Sequence, residues 1–248
     1  VLAFDISHDS YKRIDFGRNN ITETKVDGRY LYCISNNNRI TYFDRYDLKT
    51  QKKSSYVWKD GTTTNFCVHN DKICAIDMES CVMYQLDFEK KKISPICNLK
   101  KEFGKDFCEG FLVANDDFLY MTSYNHSLIS VDLHTKKITT KDFGFASGGE
   151  LIMKNDILYI SSVDPSFGAE KSTLIKYDPK TEKKLAAWHF NYSVRQFDVR
   201  NNELFVFGAK PFTLNKFEDK ENELVDIYSV ALPGEVDNYR YSGFWCLY

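Results

Sequence analysis

The sequence lacks the short motifs that identify the common catalytic chemistries. It has no Gly-x-Ser-x-Gly nucleophile turn, no Gly-x-x-x-x-Gly-Lys phosphate loop and no His-Glu-x-x-His zinc pair. The five histidines are scattered, and His8, His69 and His134 lie in or beside short turns, where exposure to solvent is expected. We therefore expect no histidine metal cluster, no metal ligand and no cofactor, and we favour a protein without enzymatic activity.

Proline is scarce, and no apolar run is long enough to cross a membrane or to form a signal peptide. The formal net charge is −2, and basic residues are spread through turns such as Lys90-Lys91-Lys92. A duplex-binding protein would need a concentrated basic stripe. We expect no membrane partner and no nucleic acid duplex. Single-stranded RNA stays open as an alternative, because aromatic side chains can bind its bases.

The cysteines show neither the Cys-x-x-Cys spacing of zinc sites nor the even number of a disulfide framework. There are seven of them. Most lie inside apolar stretches, as in Phe66-Cys67-Val68 and Ile73-Cys74-Ala75. We interpret them as buried, reduced thiols, which favours a cytoplasmic or nuclear location.

What the sequence does contain is a repeat. An acidic residue recurs after an aromatic or aliphatic residue, often opening a turn of the form Asp-x-x-Thr-x-Lys, at intervals of about 40 to 46 residues. The copies are Asp5, Asp47, Asp87, Asp132, Asp178 and Glu218. Each acidic residue is expected to accept backbone N–H bonds in the turn that follows it. Upstream of each copy, short polar turns such as Asn70-Asp71 and Asn155-Asp156 predict β-hairpins.

These landmarks predict one domain over residues 1–248, built from four-stranded antiparallel units. Five whole units are expected at about residues 21–57, 63–100, 107–144, 147–190 and 192–231. The first 16 residues and residues 235–248 each carry half a unit. Pairing the two halves closes a ring without open sheet edges, so the expected fold is an all-β, six-bladed β-propeller.

Two stretches resemble known propeller families. Ser172 to Trp188, STLIKYDPKTEKKLAAW, is similar to the end of a kelch blade, and VLAFDISHDSYKRIDFG resembles a stretch of F-box-associated propellers. The paired glycines Gly148-Gly149 lie between units, whereas kelch blades have theirs within the second strand. The resemblance implies a propeller fold and, by analogy, a recognition module. Since the sequence begins at Val1 within a strand-like stretch, we also expect a monomeric domain of a larger chain.

One enzymatic alternative follows from the expected topology. The first strands of a propeller line its central channel, and polar residues at their beginnings would meet at the channel mouth. These residues are Glu23, Asn65, Glu109, Glu150, Arg195 and Asp237. Calcium prefers such oxygen donors, and Glu109-Gly110 is similar to the first ligand motif of lactonase-type propellers. The alternative function is therefore a calcium-dependent, lactonase-like hydrolase, although Arg195 would bring a cation into the ring.

The loops on that same face carry aromatic and arginine side chains, the residue types that contribute most to protein interfaces. Those that we predict to bind are Arg39, Trp58, Tyr124, His126 and Phe167, together with Asn65, Glu109, Glu150 and Arg195 from the channel mouth. Further aromatic residues of this face are Phe103, Phe107, Phe145 and Tyr192. The favoured function is a scaffold that binds a protein or peptide partner through this face without catalysis.

Overall fold

A computed structural model describes residues 2–5, 10–104, 109–123, 126–144, 148–162, 171–209, 213–220 and 222–231. Most of the described chain is β-strand, and the strands form antiparallel sheets. It divides into two compact units, one within residues 1–98 and one within residues 99–238.

The first unit contains a two-stranded hairpin and two four-stranded sheets. The hairpin pairs β1 (Leu2–Asp5) with β2 (Ser10–Arg13). The first sheet consists of β3 (Ile21–Asp27), β4 (Tyr30–Asn37), β5 (Ile40–Asp47) and β6 (Lys53–Trp58). The second sheet consists of β7 (Phe66–His69), β8 (Lys72–Ile76), β9 (Val82–Asp87) and β10 (Lys92–Asn98). Strands follow one another across each sheet in chain order.

The second unit begins with a short helix that the repeat did not predict, α1 (Leu99–Phe103). Three four-stranded sheets follow it, each with its strands in chain order. The third sheet consists of β11 (Glu109–Ala114), β12 (Phe118–Ser123), β13 (His126–Asp132) and β14 (Ile138–Lys141). The fourth consists of β15 (Gly148–Lys154), β16 (Ile157–Ser162), β17 (Ser172–Asp178) and β18 (Lys183–Phe190). The fifth consists of β19 (Ser193–Arg200), β20 (Glu203–Ala209), β21 (Thr213–Lys220) and β22 (Glu223–Ala231).

The two sequence landmarks have the local structure that was predicted for them. Asn70 and Asp71 have φ of 50° and 57°, the left-handed conformation that a two-residue hairpin requires. The Asp132 carboxylate accepts the backbone N–H groups of His134 and Thr135, both at 2.8 Å. Asp47, Asp87 and Asp178 accept N–H groups of their turns in the same way, as predicted. The prediction is wrong for Glu218, which lies within β21, because the neighbouring Asp219 accepts the Asn222 N–H at 3.1 Å instead.

Apolar side chains fill the space between consecutive sheets. In the first unit, Tyr32 and Phe43 of the first sheet pack in one cluster with Phe66 and Ile73 of the second. In the second unit, Trp188 of the fourth sheet shares a cluster with residues of the fifth, including Phe197. Sheet-on-sheet burial of this kind supplies most of the hydrophobic stabilisation of the fold.

The five cysteines of the described residues carry no disulfide, and Cys33, Cys67, Cys74 and Cys81 are buried, as predicted. Over the same residues, no helix combines the length and apolar character needed to cross a membrane. The described part of the chain holds five of the six expected four-stranded units. Residues 235–248, expected to complete the sixth, lie outside the described residues.

Candidate functional site

Three loops of the first unit are joined by hydrogen bonds into one surface, which we call the loop platform. It comprises residues 36–41, 59–65 and 77–81. The Asn36 side chain donates its Nδ2–H to the Thr63 carbonyl at 2.7 Å, and the Thr41 hydroxyl donates to the Gly61 carbonyl at 3.0 Å. Thr41 and Thr63 are fully buried, so these bonds tie the first loop to the second from beneath.

The third loop is tied to the second in the same way. The Asp77 carboxylate accepts the Thr62 N–H at 3.0 Å, and the Met78 N–H donates to the Thr62 carbonyl at 2.8 Å. Asp77 also accepts the Ser80 N–H at 2.9 Å, which closes its own turn. The platform is therefore held by buried and half-buried polar bonds, which hold loops from two sheets in one arrangement.

Three side chains project from the loop platform. Arg39 and Glu79 are 81% and 60% exposed and form an ion pair at 3.1 Å, from one sheet to the next. Met78, between Asp77 and Glu79, is 49% exposed although it is apolar. Arg39 has a φ of 68°, a left-handed conformation that favours glycine and costs a side-chain-bearing residue roughly 1 kcal/mol.

Trp58, predicted to bind, is buried beneath the loop platform and 5% exposed. Its indole stacks on Phe43 and meets the Tyr84 ring edge-on, with ring centroids 6.2 and 5.0 Å away. Gly61 lies so close that a Cβ there would come within 2.1 Å of the indole. Trp58 is thus a packing residue that supports the platform and does not reach a partner's surface.

Glu23, expected at the channel mouth, is engaged within the first unit. Its Oε2 accepts the Phe66 N–H from the neighbouring sheet at 3.1 Å, and its Oε1 pairs with the Lys25 ammonium at 2.7 Å. Burial raises the pKa of this carboxyl, while Lys25 and the Phe66 bond lower it. Asn65, the next expected residue, is half-buried, and its carbonyl accepts the Thr63 hydroxyl at 2.7 Å.

Glu150 makes the corresponding contact in the second unit. Its Oε2 accepts the Phe197 N–H from the neighbouring sheet at 2.8 Å. Glu23 and Glu150 each stand four residues before the end of their strand, and Phe66 and Phe197 three residues before the end of theirs. We call this repeated contact the carboxylate clasp. Two of the expected channel carboxylates therefore fasten a sheet to its successor.

In β11 and β19, the first strands of the third and fifth sheets, the expected residues do not lie at the position of Glu23. Counted back from the hairpin turn, Phe111 and Gln196 lie at the position of Glu23, rather than Glu109 and Arg195. The third sheet uses a hydroxyl instead of a carboxylate. Thr122 accepts the Phe111 N–H at 3.1 Å and donates to the Gly149 carbonyl of the fourth sheet at 2.7 Å.

Several nominated residues lie outside the described residues. Tyr124, Phe167 and Asp237 do so entirely. For three others the backbone is described and the side chain is not: Glu109, His126 and Arg195. Among the expected exposed histidines, His134 is exposed, whereas His69 is half-buried at the end of β7. In the part of the chain that the structure describes, no group of three His, Cys, Asp or Glu side chains could hold a metal ion.

Sequence reasoning missed Met78 and Glu79 because the repeat assigned no function to their turn. A signal was available, since Asp77-Met78-Glu79-Ser80 has the same Asp-x-x-Ser/Thr form as the landmark turns. That form predicts a carboxylate-capped turn, and the residues between its ends must then face outwards.

Comparison with known proteins identifies the fold and no family. No protein-family model and no curated protein matches the sequence. Among solved structures, a putative 6-phosphogluconolactonase from Bacteroides uniformis superposes with a TM-score of 0.65 at 12% identity, over 93% of this chain and 77% of that one. KlHsv2 with loop 6CD replaced by a Gly-Ser linker superposes with a TM-score of 0.63 at 13% identity, over 88% of this chain and 68% of that one.

The computationally designed Ika8 protein gives a TM-score of 0.61 at 11% identity, over 84% of this chain. This chain spans 61% of the length of that designed protein. At these identities the likeness concerns the fold alone. The repeated four-stranded sheets and these structures together show a propeller-like, all-β fold.

Proposed function

We propose that this chain is a scaffold that binds a protein or peptide partner through the loop platform of its first unit, without covalent chemistry. The observation that carries the proposal is Arg39. Its exposed side chain is held in a conformation that glycine would adopt at lower cost, on loops that buried hydrogen bonds hold in place. The left-handed conformation itself is what the two-residue Asn38-Arg39 hairpin requires, so the support comes from an exposed arginine beside the exposed Met78 on loops that buried bonds hold in place.

The platform also suggests the chemistry of the partner. Arginine and methionine are enriched in interfaces, and the flexible thioether of Met78 can adapt to an apolar side chain. The Arg39–Glu79 pair is exposed and therefore contributes little to stability, so Arg39 can exchange Glu79 for a carboxylate of the partner at low cost. We propose a partner segment that presents an acidic residue beside an apolar one.

The test is affinity capture from native lysate with three forms of the chain. The binding variant is Arg39→Glu with Met78→Glu. The matched control is Lys180→Glu with Leu185→Glu, an exposed cation in an ion pair and an exposed apolar residue of the second unit. We expect a protein retained by the wild type and the control to bind the binding variant about tenfold more weakly or worse. Equal retention by all three forms would refute the platform.

The lactonase-like alternative is less well supported. Glu23 and Glu150, two of its expected calcium ligands, each accept a backbone N–H of the next sheet. The register of the third sheet brings Phe111 in place of a carboxylate. The similarity to a putative 6-phosphogluconolactonase at 12% identity concerns the fold. We therefore propose a binding function rather than hydrolysis.

The proposal includes a complete propeller. We propose that residues 1–248 form one domain of six blades, of which five are the described sheets, with the sixth made from the two ends of the chain. The support is the spacing of the six acidic landmarks and the half unit at each end. For the location we propose the cytoplasm or nucleus, supported by the four buried thiols.

A further inference from the structure

Two cysteines of the second sheet face each other across the hairpin of β7 and β8. Cys67 on β7 and Cys74 on β8 are direct partners in the antiparallel pairing. Of the other described cysteines, Cys33 and Cys97 pair with residues that are not cysteine, and Cys81 lies outside the strands. Within the described part of the chain, this is the one hairpin that brings two thiols to opposite positions.

The kind of pair that these cysteines form follows from a neighbouring hydrogen bond. In an antiparallel sheet, hydrogen-bonded pairs alternate with non-hydrogen-bonded pairs. Phe66 donates its N–H to Glu23 of the first sheet, so Phe66 and Ala75 form a non-hydrogen-bonded pair. The next pair, Cys67 and Cys74, is then hydrogen-bonded, and the Cα atoms of such a pair lie about 5.5 Å apart. A disulfide joins Cα atoms at about 4.4 to 6.8 Å, so the backbone spacing fits the bond.

The two thiols are in contact and are closed off from solvent. Cys67 and Cys74 are 4% and 3% exposed. A hydrogen bond with the Cys74 thiol, and then burial, raise the pKa of the Cys67 thiol. Gln85 of β9 donates its Nε2–H to the Cys74 sulfur at 3.9 Å. The Cys67 sulfur is therefore protonated at neutral pH, and the pair reacts with a reagent only when the hairpin opens.

We propose that Cys67 and Cys74 are a reversible modification site, which oxidised glutathione converts from a dithiol to a disulfide. One cysteine thiolate attacks a sulfur of oxidised glutathione, which forms a mixed disulfide and releases one glutathione thiolate. The other cysteine thiolate then attacks the cysteine sulfur of the mixed disulfide and releases the second glutathione. The protein loses two electrons and two protons in all, and oxidised glutathione takes them up as two reduced molecules.

The position of the pair gives this oxidation a consequence for the loop platform. β7 begins directly after the platform residues 59–65, and β8 ends directly before the platform residues 77–81. A disulfide between these strands links the bases of two platform loops. In the cytoplasm or nucleus that we propose for this chain, the thiols stay reduced under ordinary conditions, and disulfides that form there are transient and redox-sensing.

The test is made on the folded chain without denaturant. The protein is equilibrated in glutathione buffers of increasing oxidised fraction, free thiols are alkylated, and tryptic peptides are mapped by mass spectrometry. Trypsin cuts after Lys72, between the two cysteines, so the disulfide is detected as two joined peptides. We expect this linkage at a ratio of oxidised to reduced glutathione about tenfold lower than any other linkage needs. It should disappear when the protein is returned to reduced glutathione.

Two variants assign the linkage. Cys67→Ala should abolish it. Cys81→Ala is the matched control and should retain it, since Cys81 lies on the same tryptic peptide as Cys74. No linkage, a linkage through Cys81, a glutathione adduct alone, or a linkage that forms only in urea overturns the proposal. The result does not depend on the proposed binding function, since the linkage is measured on the chain without a partner.

Discussion

At the residue scale, the acidic landmarks stabilise turns through their charged form. The hydrogen bond from the Thr135 N–H, and then that from His134, hold the pKa of the Asp132 carboxyl below its usual range. Asp178 behaves alike, with the Thr181 hydroxyl as the first cause. These bonds explain why an aspartate recurs at this position in the first four sheets.

This charge dependence leads to a prediction for Asp132→Asn. A carboxyl whose pKa is lower in the folded state stabilises the fold above its unfolded pKa and loses that contribution as pH falls through the folded pKa. The amide that replaces the carboxyl in the variant does not titrate. We therefore expect the difference in unfolding free energy between wild type and variant to be largest near pH 7 and to shrink towards pH 3, measured by urea denaturation. A difference that is constant with pH would contradict the turn's charge dependence.

The same turns contain a strained residue. Four positions after the acidic landmark the backbone is left-handed, and the chain places side-chain-bearing residues there: Gln51, Lys91, Lys136, Glu182 and Asn222. Glycine adopts this conformation without the steric cost of a Cβ.

We expect Lys136→Gly to stabilise the fold by about 0.5 to 1 kcal/mol, since relief of the strain exceeds the entropy that glycine adds to the unfolded chain. Lys137→Gly, one residue later and outside the left-handed region, is the matched control and should be neutral or destabilising. Thermal unfolding of both variants measures the difference. Equal effects of the two substitutions would mean that backbone strain is not what Lys136 contributes.

At the scale of elements, the carboxylate clasp joins one sheet to the next. Glu23 accepts the Phe66 N–H and Glu150 accepts the Phe197 N–H, and both donors lie at the same position of the first strand of the next sheet. We expect Glu23→Ala to cost about 1 to 3 kcal/mol, because the Phe66 N–H is buried and would lose its acceptor. Chemical denaturation measures this. A cost near zero would show that the Phe66 N–H finds another acceptor.

The pKa of Glu23 gives a prediction opposite in sign to that for Asp132. Burial raises the pKa of the Glu23 carboxyl in the folded state, so ionisation of this group opposes folding. The contribution of Glu23 to stability therefore falls as pH rises from the unfolded pKa towards the folded pKa. Glu23→Gln keeps an acceptor oxygen and does not titrate. We expect the stability of this variant relative to wild type to increase between about pH 4 and pH 7. A relative stability that decreases over that range would show that the Lys25 ion pair outweighs burial.

The turns of the sheets were predictable from the sequence, whereas the placement of some side chains was not. The turns at Asn70-Asp71 and Asp132 were predictable because their residue types have one strong local preference. The position of Glu109 was not, because the exact distance between a strand's polar residue and the following hairpin turn has no local sequence signal, and here Phe111 takes that position. Trp58 was predicted to bind a partner because an aromatic residue at the end of a strand can face either a partner or the core. The close approach of Gly61 to the indole, which the sequence does not reveal, places Trp58 in the core.

At the scale of the whole molecule, the repeat predicted the propeller-like fold but not what its surfaces do. The periodicity of the sequence indicates which residues are packed in the core, and Tyr32 and Leu174 are indeed fully buried. A surface such as the loop platform has no period of its own. Arg39 was nominated for its residue type, whereas its pairing with Glu79 depends on two loops far apart in sequence.

The last prediction separates the binding scaffold from a calcium-dependent enzyme. An ion bound only by the folded state at a hundred times its Kd would stabilise the protein by about 2.7 kcal/mol, enough to raise the melting temperature by about 5 °C or more in a chain of this size. Because Glu23 and Glu150 already accept backbone N–H bonds, we expect equal melting temperatures in millimolar calcium and in excess chelator. Glu150→Gln serves as the control, since a calcium ligand would lose its ion-dependent stabilisation on this change. A rise in melting temperature with calcium that Glu150→Gln abolishes would show that Glu150 is a calcium ligand. The hydrogen bond from the Phe197 N–H to Glu150 would then describe only the calcium-free protein.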